Sequence, residues 1–258
     1  MSNSKETIGK TFLVAGILCV VCSAVISVSV VSLREKQEYN MLVDKRSNIL
    51  SAGGIDTSNI DVNAVYESSI EVRYITLPSG DYLEETPSES FDSVTAAKSK
   101  EFGEKIPAKK DLADIKVRSK ISEVYILKGQ NDEVSKIILP VRGKGLWSTM
   151  LGFAAVDNSG KTMAGLTFYS HGETAGLGGE IDNPTWKAIW PGKKIYDDEG
   201  NVELQVIKGN VIAGNPKEDY QVDGLAGATL TARGVSNLVA YWFGPEGYKN
   251  YLSKLGGN

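Results

Sequence analysis

The chain has one histidine, His171, and two cysteines, Cys19 and Cys22. Both cysteines lie inside one apolar run, so the rest of the chain forms no disulfide and offers no cysteine zinc site or c-type haem motif. A single histidine cannot build a histidine metal cluster, and it argues against Ser-His-Asp hydrolysis. Basic excess is also lacking: a net charge of −4 and a pI near 5.3 leave no positive stripe to neutralise the phosphates of a nucleic acid. No Gly-x-Gly-x-x-Gly lies between a strand and a helix, which excludes a Rossmann dinucleotide site. If the protein does redox chemistry, these absences leave an organic cofactor as the carrier.

What is present begins with length. From Thr11 to Leu33 the chain has no Asp, Glu, Lys or Arg, and Lys10 and Arg34 bracket the run. About 23 residues at roughly 1.5 Å each give roughly 34 Å of helix, enough for the hydrocarbon core of a bilayer. A cleaved signal peptide is the competing reading, with Lys5 and Lys10 as its basic region and Ser27-Val28-Ser29 as a small-x-small triplet. The run is longer than the roughly 7 to 15 apolar residues of such peptides, which favours an uncleaved anchor. Neither cysteine follows a small residue, which argues against lipid attachment, and in lipid the Cys19-Val20-Val21-Cys22 spacing reads as two small side chains rather than metal ligands. Ala15, Cys19, Ser23 and Ser27 recur every four residues, a strip that lets another membrane helix approach. Lys5 and Lys10 stand against Glu6 before the run, and Arg34, Lys36, Lys45 and Arg46 against Glu35, Glu38 and Asp44 after it; charge does not choose an orientation.

Beyond the run the pattern predicts continuation of the helix, with Met41, Leu42, Ile49 and Leu50 in register and Gly53-Gly54 as its stop. Residues 55–120 read as a mixed membrane-proximal segment with a strand over Ile70 to Leu77 and a turn at Pro78-Ser79-Gly80-Asp81. From Ile121 onward strands are expected at Glu123 to Lys128, Ser135 to Val141, Leu151 to Val156, Thr162 to Ser170 and Val202 to Val206. A short helix over Asn183 to Trp190 follows the fourth strand. A longer one is expected from about Thr231 to Phe243, where Val235, Leu238, Val239 and Trp242 mark one buried face. The class is α+β: one N-terminal transmembrane helix and a mixed α/β domain without repeats.

Two glycine-rich loops carry the chemistry. Ser170 to Ile181 reads S-H-G-E-T-A-G-L-G-G-E-I, where glycines permit close approach of a ligand and Glu173 and Thr174 offer hydrogen bonds to it. Its alternative is a solvated turn. The second loop, Asp223 to Asn237, reads D-G-L-A-G-A-T-L-T-A-R-G-V-S-N and runs into the last helix. Unsatisfied amides and the positive end of a helix dipole suit a phosphate there, Gly224 and Gly227 clear the approach, and Ala228 is small. The Thr229 hydroxyl has three possible roles: hydrogen-bonding a phosphate, capping the helix, or being esterified.

The run D-G-L-A-G-A-T resembles the flavinylation motif of FMN-binding domains in bacterial ion-pumping respiratory complexes, and that resemblance selects esterification. With G-L-W-S-T-M-L-G-F at Gly145 to Phe153, H-G-E-T-A-G-L-G-G-E-I at His171 to Ile181, N-I-L at Asn48 to Leu50 and the single anchor, the whole chain is similar to the C subunits of Na+-translocating NADH:quinone reductases. Two positions depart from the pattern: Ala226, where Ser or Thr is usual, and Ala175, where Pro is usual.

The resemblance implies one FMN joined through its phosphate to Thr229 by an FAD-dependent flavin transferase, with Asp223, Gly227 and Ala228 in the recognised loop. It implies that the amides behind Leu230 and Thr231, with the Thr231 hydroxyl, meet the phosphate charge. Glu173, Thr174, Gly176 and Leu177 would line the flavin; Trp147 would pack on it or lie in the core. It further implies electrons received from an iron-sulfur centre held by membrane subunits and passed to another FMN in a neighbouring subunit. The expected organisation is a short cytoplasmic N-terminus over 1–10, a transmembrane helix over 11–33, a membrane-proximal segment over 34–120 and an extracytoplasmic FMN-binding domain over 121–258, in the bacterial inner membrane. Alternatives are the matching subunit of the ferredoxin:NAD+ ion pump, a module holding a phosphorylated ligand non-covalently, and a cofactor-free assembly subunit.

Overall fold

The structure is a computed structural model that describes residues 7–88, 91–129 and 133–255; Lys5 and Glu6 of the charge comparison, and the outer ends of the expected 1–10 and 121–258 segments, lie outside them. Contacts divide the chain after Asp44. Helix α1 runs over Ile8–Ala52, and its apolar part is long enough to cross a membrane, with Phe12, Leu18, Val20, Ile26 and Val31 all exposed.

The second unit opens on the end of that helix. Ile49, Leu50 and Ala52 are buried, whereas Met41 and Leu42 stay exposed. The stop falls where the sequence places it: the Ile55 amide donates to Leu50 O at 3.0 Å and the Gly54 amide to Ser51 O at 2.9 Å, with Gly54 at φ +83°. This is the Schellman arrangement, which needs a left-handed residue after the helix. Helix α2 (Val62–Ser69) follows, its N-terminus capped by the Asp61 carboxylate.

Strand β1 (Ile70–Thr76) is followed by the short helix α3 (Ser93–Ala96) and by β2 (Gly103–Lys105) and β3 (Val117–Ser119), an antiparallel pair. Strands β4 (Ile121–Lys128), β5 (Val134–Lys144), β6 (Thr149–Asp157) and β7 (Met163–Ser170) complete an antiparallel five-stranded sheet in the order β1-β4-β5-β6-β7. The β1–β4 pairing crosses the 120/121 boundary expected from composition. Alternation along β5 divides the core: Ile137 and Leu139 face one cluster, and Ile138 faces the other with Ile49, Leu50 and Phe153.

Helix α4 (Pro184–Lys187) is followed by the short parallel pair β8 (Gln205–Val206) and β9 (Gln221–Val222), so the expected Val202–Val206 strand is confined to its last two residues. Helix α5 (Thr229–Trp242) lays Val235, Leu238, Val239 and Trp242 into the first cluster, as their spacing predicts, and α6 (Lys249–Leu255) ends the described chain. The start of α5 differs from expectation by two residues. Ala228 is the N-cap and Thr229 is already helical, because the turn closed by Ala228 N to Leu225 O delivers the chain in helical register.

Candidate functional site

Glu173 assembles the site. Its carboxylate, in the loop after β7, accepts the amides of Leu146 at 3.1 Å, Trp147 at 3.0 Å and Ser148 at 3.3 Å from the β5–β6 hairpin. It also accepts the hydroxyl of Thr231 in the first turn of α5. Three segments remote in sequence therefore meet on one carboxylate that is 8% exposed. Burial opposes its ionisation, but the Thr231 hydroxyl and the three amides outweigh burial and hold its pKa below the usual glutamate value.

The close approach leaves no room for side chains around it. A Cβ on Gly145 would lie 2.5 Å from Glu173 Oε1, and one on Gly178 would lie 2.5 Å from Thr231 Oγ1 and 2.9 Å from Glu173 Oε2. His171 steadies the loop. Its Nδ1 accepts the Glu173 amide at 3.1 Å and its Nε2 meets Asp182 Oδ2 at 2.7 Å, which places the ring proton on Nε2.

Large apolar side chains on the same three segments are exposed. Trp147 is 66% exposed, Leu230 51%, Leu177 44% and Leu146 42%. The core alternative for Trp147 is thereby excluded. Thr174 and Gly176 belong to the same loop; Gly176 is exposed, and Thr174 O accepts the amides of Leu177 and Gly179. Gly227, at φ +69°, brings the two glycine-rich loops together: a Cβ there would lie 2.9 Å from Leu177 Cδ2.

Thr229 lies at this margin, exposed and first in α5. Its capping role is excluded, since Ala228 occupies the cap position and no side chain caps the helix. The first-turn amides of a 14-residue helix are thus left without a side-chain cap beside an accessible hydroxyl. Behind them, the Asp223 carboxylate accepts the Val211 amide at 2.7 Å and its carbonyl accepts Trp186 Nε1 at 2.8 Å. Asp223 thereby fixes the loop that delivers Thr229.

Two of the expected ligand-lining residues are engaged with each other. Glu173 and Thr231 were expected to touch the ligand; in the structure they hold each other, and Thr231 is 1% exposed. The fold uses them to set the shape of the site. Sequence reasoning also missed Lys208 and Arg233, which line a groove of about 330 Å³ with Thr229. For Arg233 the i, i+4 spacing from Thr229 was an available signal; Lys208 had none.

An exposed threonine beside a helix N-terminus and an apolar surface fits a phosphorylated, largely aromatic ligand, and residues 145–244 match the FMN-binding domain family. This defines a domain of the FMN-binding class, preceded by a helix apolar and long enough to span a membrane. Over 98% of its length the chain is 40% identical to the C subunit of the Na(+)-translocating NADH-quinone reductase of Yersinia pestis, covering 94% of that protein. It is 42% identical to the protein of the same name from Pseudomonas aeruginosa, over 99% of this chain and 98% of that one. The solved structure of NqrC from Shewanella oneidensis superposes with a TM-score of 0.76 at 30% identity, covering 83% of this chain and 97% of that one. The chain belongs to the family of Na(+)-translocating NADH-quinone reductase C subunits.

Proposed function

We propose that the protein is the electron-carrying C subunit of a sodium-translocating NADH:quinone reductase, with one FMN joined through its phosphate to the Thr229 hydroxyl. The observation that carries this reading is the position of Thr229: exposed, helical, without a capping task, next to the exposed Leu230 and two residues from Gly227, which approaches Leu177. FMN held there supplies electron transfer, and the protein supplies attachment, orientation and electrostatics. Leu177, Leu146 and Trp147 offer the ring an apolar support. Glu173 keeps the three segments in register, and the α5 amides favour the anionic end.

In this reading residues 11–33 anchor the protein in the inner membrane and the flavin domain lies on the extracytoplasmic side. Electrons pass to and from flavin or iron-sulfur groups on neighbouring subunits, so the isolated polypeptide does not oxidise NADH. A separate FAD-dependent flavin transferase installs the group. The exposure of Gly227 and Thr229 supports attachment to the folded chain. Replacing Thr229 with Val keeps the β-branched shape and removes the acceptor. The expected outcome is a chain that folds and reaches the membrane without covalent flavin, read as loss of in-gel fluorescence; covalent flavin on the variant would overturn the attachment site.

A further inference from the structure

Thr229 separates two surfaces of different chemistry. Toward Gly227 the neighbours are apolar, led by Leu177. On the other side lies the groove of about 330 Å³, whose lining includes Gln205, Lys208, Thr229, Arg233, Ser236 and Asn237. Its walls are fixed: the Val206 amide donates to Ser236 Oγ at 3.0 Å, the Ile207 amide to Val222 O at 2.9 Å and the Gly224 amide to Gly209 O at 2.7 Å.

Arg233 is unusual among the arginines. Arg34, Arg46, Arg73 and Arg118 pair with carboxylates, and the buried Arg142 donates to Val117 O. Among the described residues Arg233 is the one arginine whose side chain has no hydrogen bond or ion pair, and the Lys208 side chain has no carboxylate partner either. Asp223, the acidic residue next to Gly224, is committed to the Val211 amide.

We infer that this groove is the phosphate site of the protein, in which Arg233, assisted by Lys208, binds the phosphodiester carried on Thr229 while the flavin ring lies on the Leu177 side. The inference deepens the flavin reading and rests on it. Thr229 and Arg233 are four residues apart on one helix face, and long helical side chains lean toward the N-terminus, which aims the guanidinium at Thr229. A guanidinium matches two phosphate oxygens at once. The nearby Thr231 hydroxyl is held by Glu173, so beside the α5 amides the side chains left to meet the charge on a phosphodiester are those of the groove, Arg233 and Lys208.

The test uses the full-length chain in detergent with Thr229→Val, which makes flavin binding reversible, titrated with FMN and with riboflavin and read by flavin anisotropy. The parent is expected to prefer FMN. Adding Arg233→Gln should weaken FMN about tenfold while riboflavin is unchanged, the size of one lost charge-assisted contact. Arg233→Lys should restore part of the loss, and Lys208→Gln should give a smaller loss confined to FMN. Equal affinity of the parent for both ligands, an unchanged FMN preference in Arg233→Gln, or equal weakening of both ligands in both variants would overturn the inference. Absence of covalent flavin from the unmutated chain in its native membranes would instead remove the flavin reading itself.

Discussion

The Glu173 carboxylate makes no contact that its own neighbourhood in the sequence would reveal. Its partners are three amides of the β5–β6 hairpin and a hydroxyl in α5. Glu173→Gln keeps the size but turns an amide NH2 toward backbone donors, and about 2 kcal/mol of stability should be lost, measured by denaturant unfolding. The pH dependence has a definite sign. The native pKa is depressed, so the contribution is fully present above the unfolded glutamate value of about 4.3 and is lost as pH falls through the lower native value. Protection of the Leu146 and Trp147 amides from hydrogen exchange should collapse across that acid window in the parent and be weak at every pH in Glu173→Gln. Thr229 stands out in the sequence because it closes a local motif, whereas the tie made by Glu173 was not legible because the partners of its carboxylate lie elsewhere in the chain.

At the scale of elements, the same distinction holds for helix α5. The buried stripe of Val235, Leu238, Val239 and Trp242 follows from 3.6-residue periodicity, and the structure places all four in the core. The helix start did not follow, because a threonine suggests a cap while the actual cap is Ala228. Helix α2 was missed altogether: V-N-A-V-Y-E-S-S is short, and its signal is the Asp61 cap, which accepts the Asn63 and Ala64 amides. The joint between α5 and the loop after β7 can be tested at Gly178. A methyl group there would press on both Thr231 Oγ1 and Glu173 Oε2, so Gly178→Ala should cost about 1–3 kcal/mol and reduce flavin loading together with stability. A fully loaded, fully stable variant would show that the tie is dispensable.

For the whole molecule, helix α1 spans the division after Asp44. The sequence shows where the apolar run ends but not that α1 continues into a core, since only three residues of its last turns, Ile49, Leu50 and Ala52, are buried. Their packing against Ile138 and Phe153 depends on strands distant in sequence. A chain beginning at Lys45 should therefore be soluble and keep its fold. One beginning at Ile55 should lose roughly 1.5–3 kcal/mol for each of the two large side chains removed, read as a lower midpoint in urea. Equal stability of the two truncations would contradict the assignment of Ile49 and Leu50 to the core.

The most direct test of the central claim is flavin fluorescence of the denatured protein from its native membranes, joined to peptide mass spectrometry across Gly227 to Arg233. Fluorescence that survives denaturation, with FMN mapped to Thr229, is the predicted result. A dark band with an unmodified Thr229 peptide, in cells that hold the flavin transferase, would contradict it.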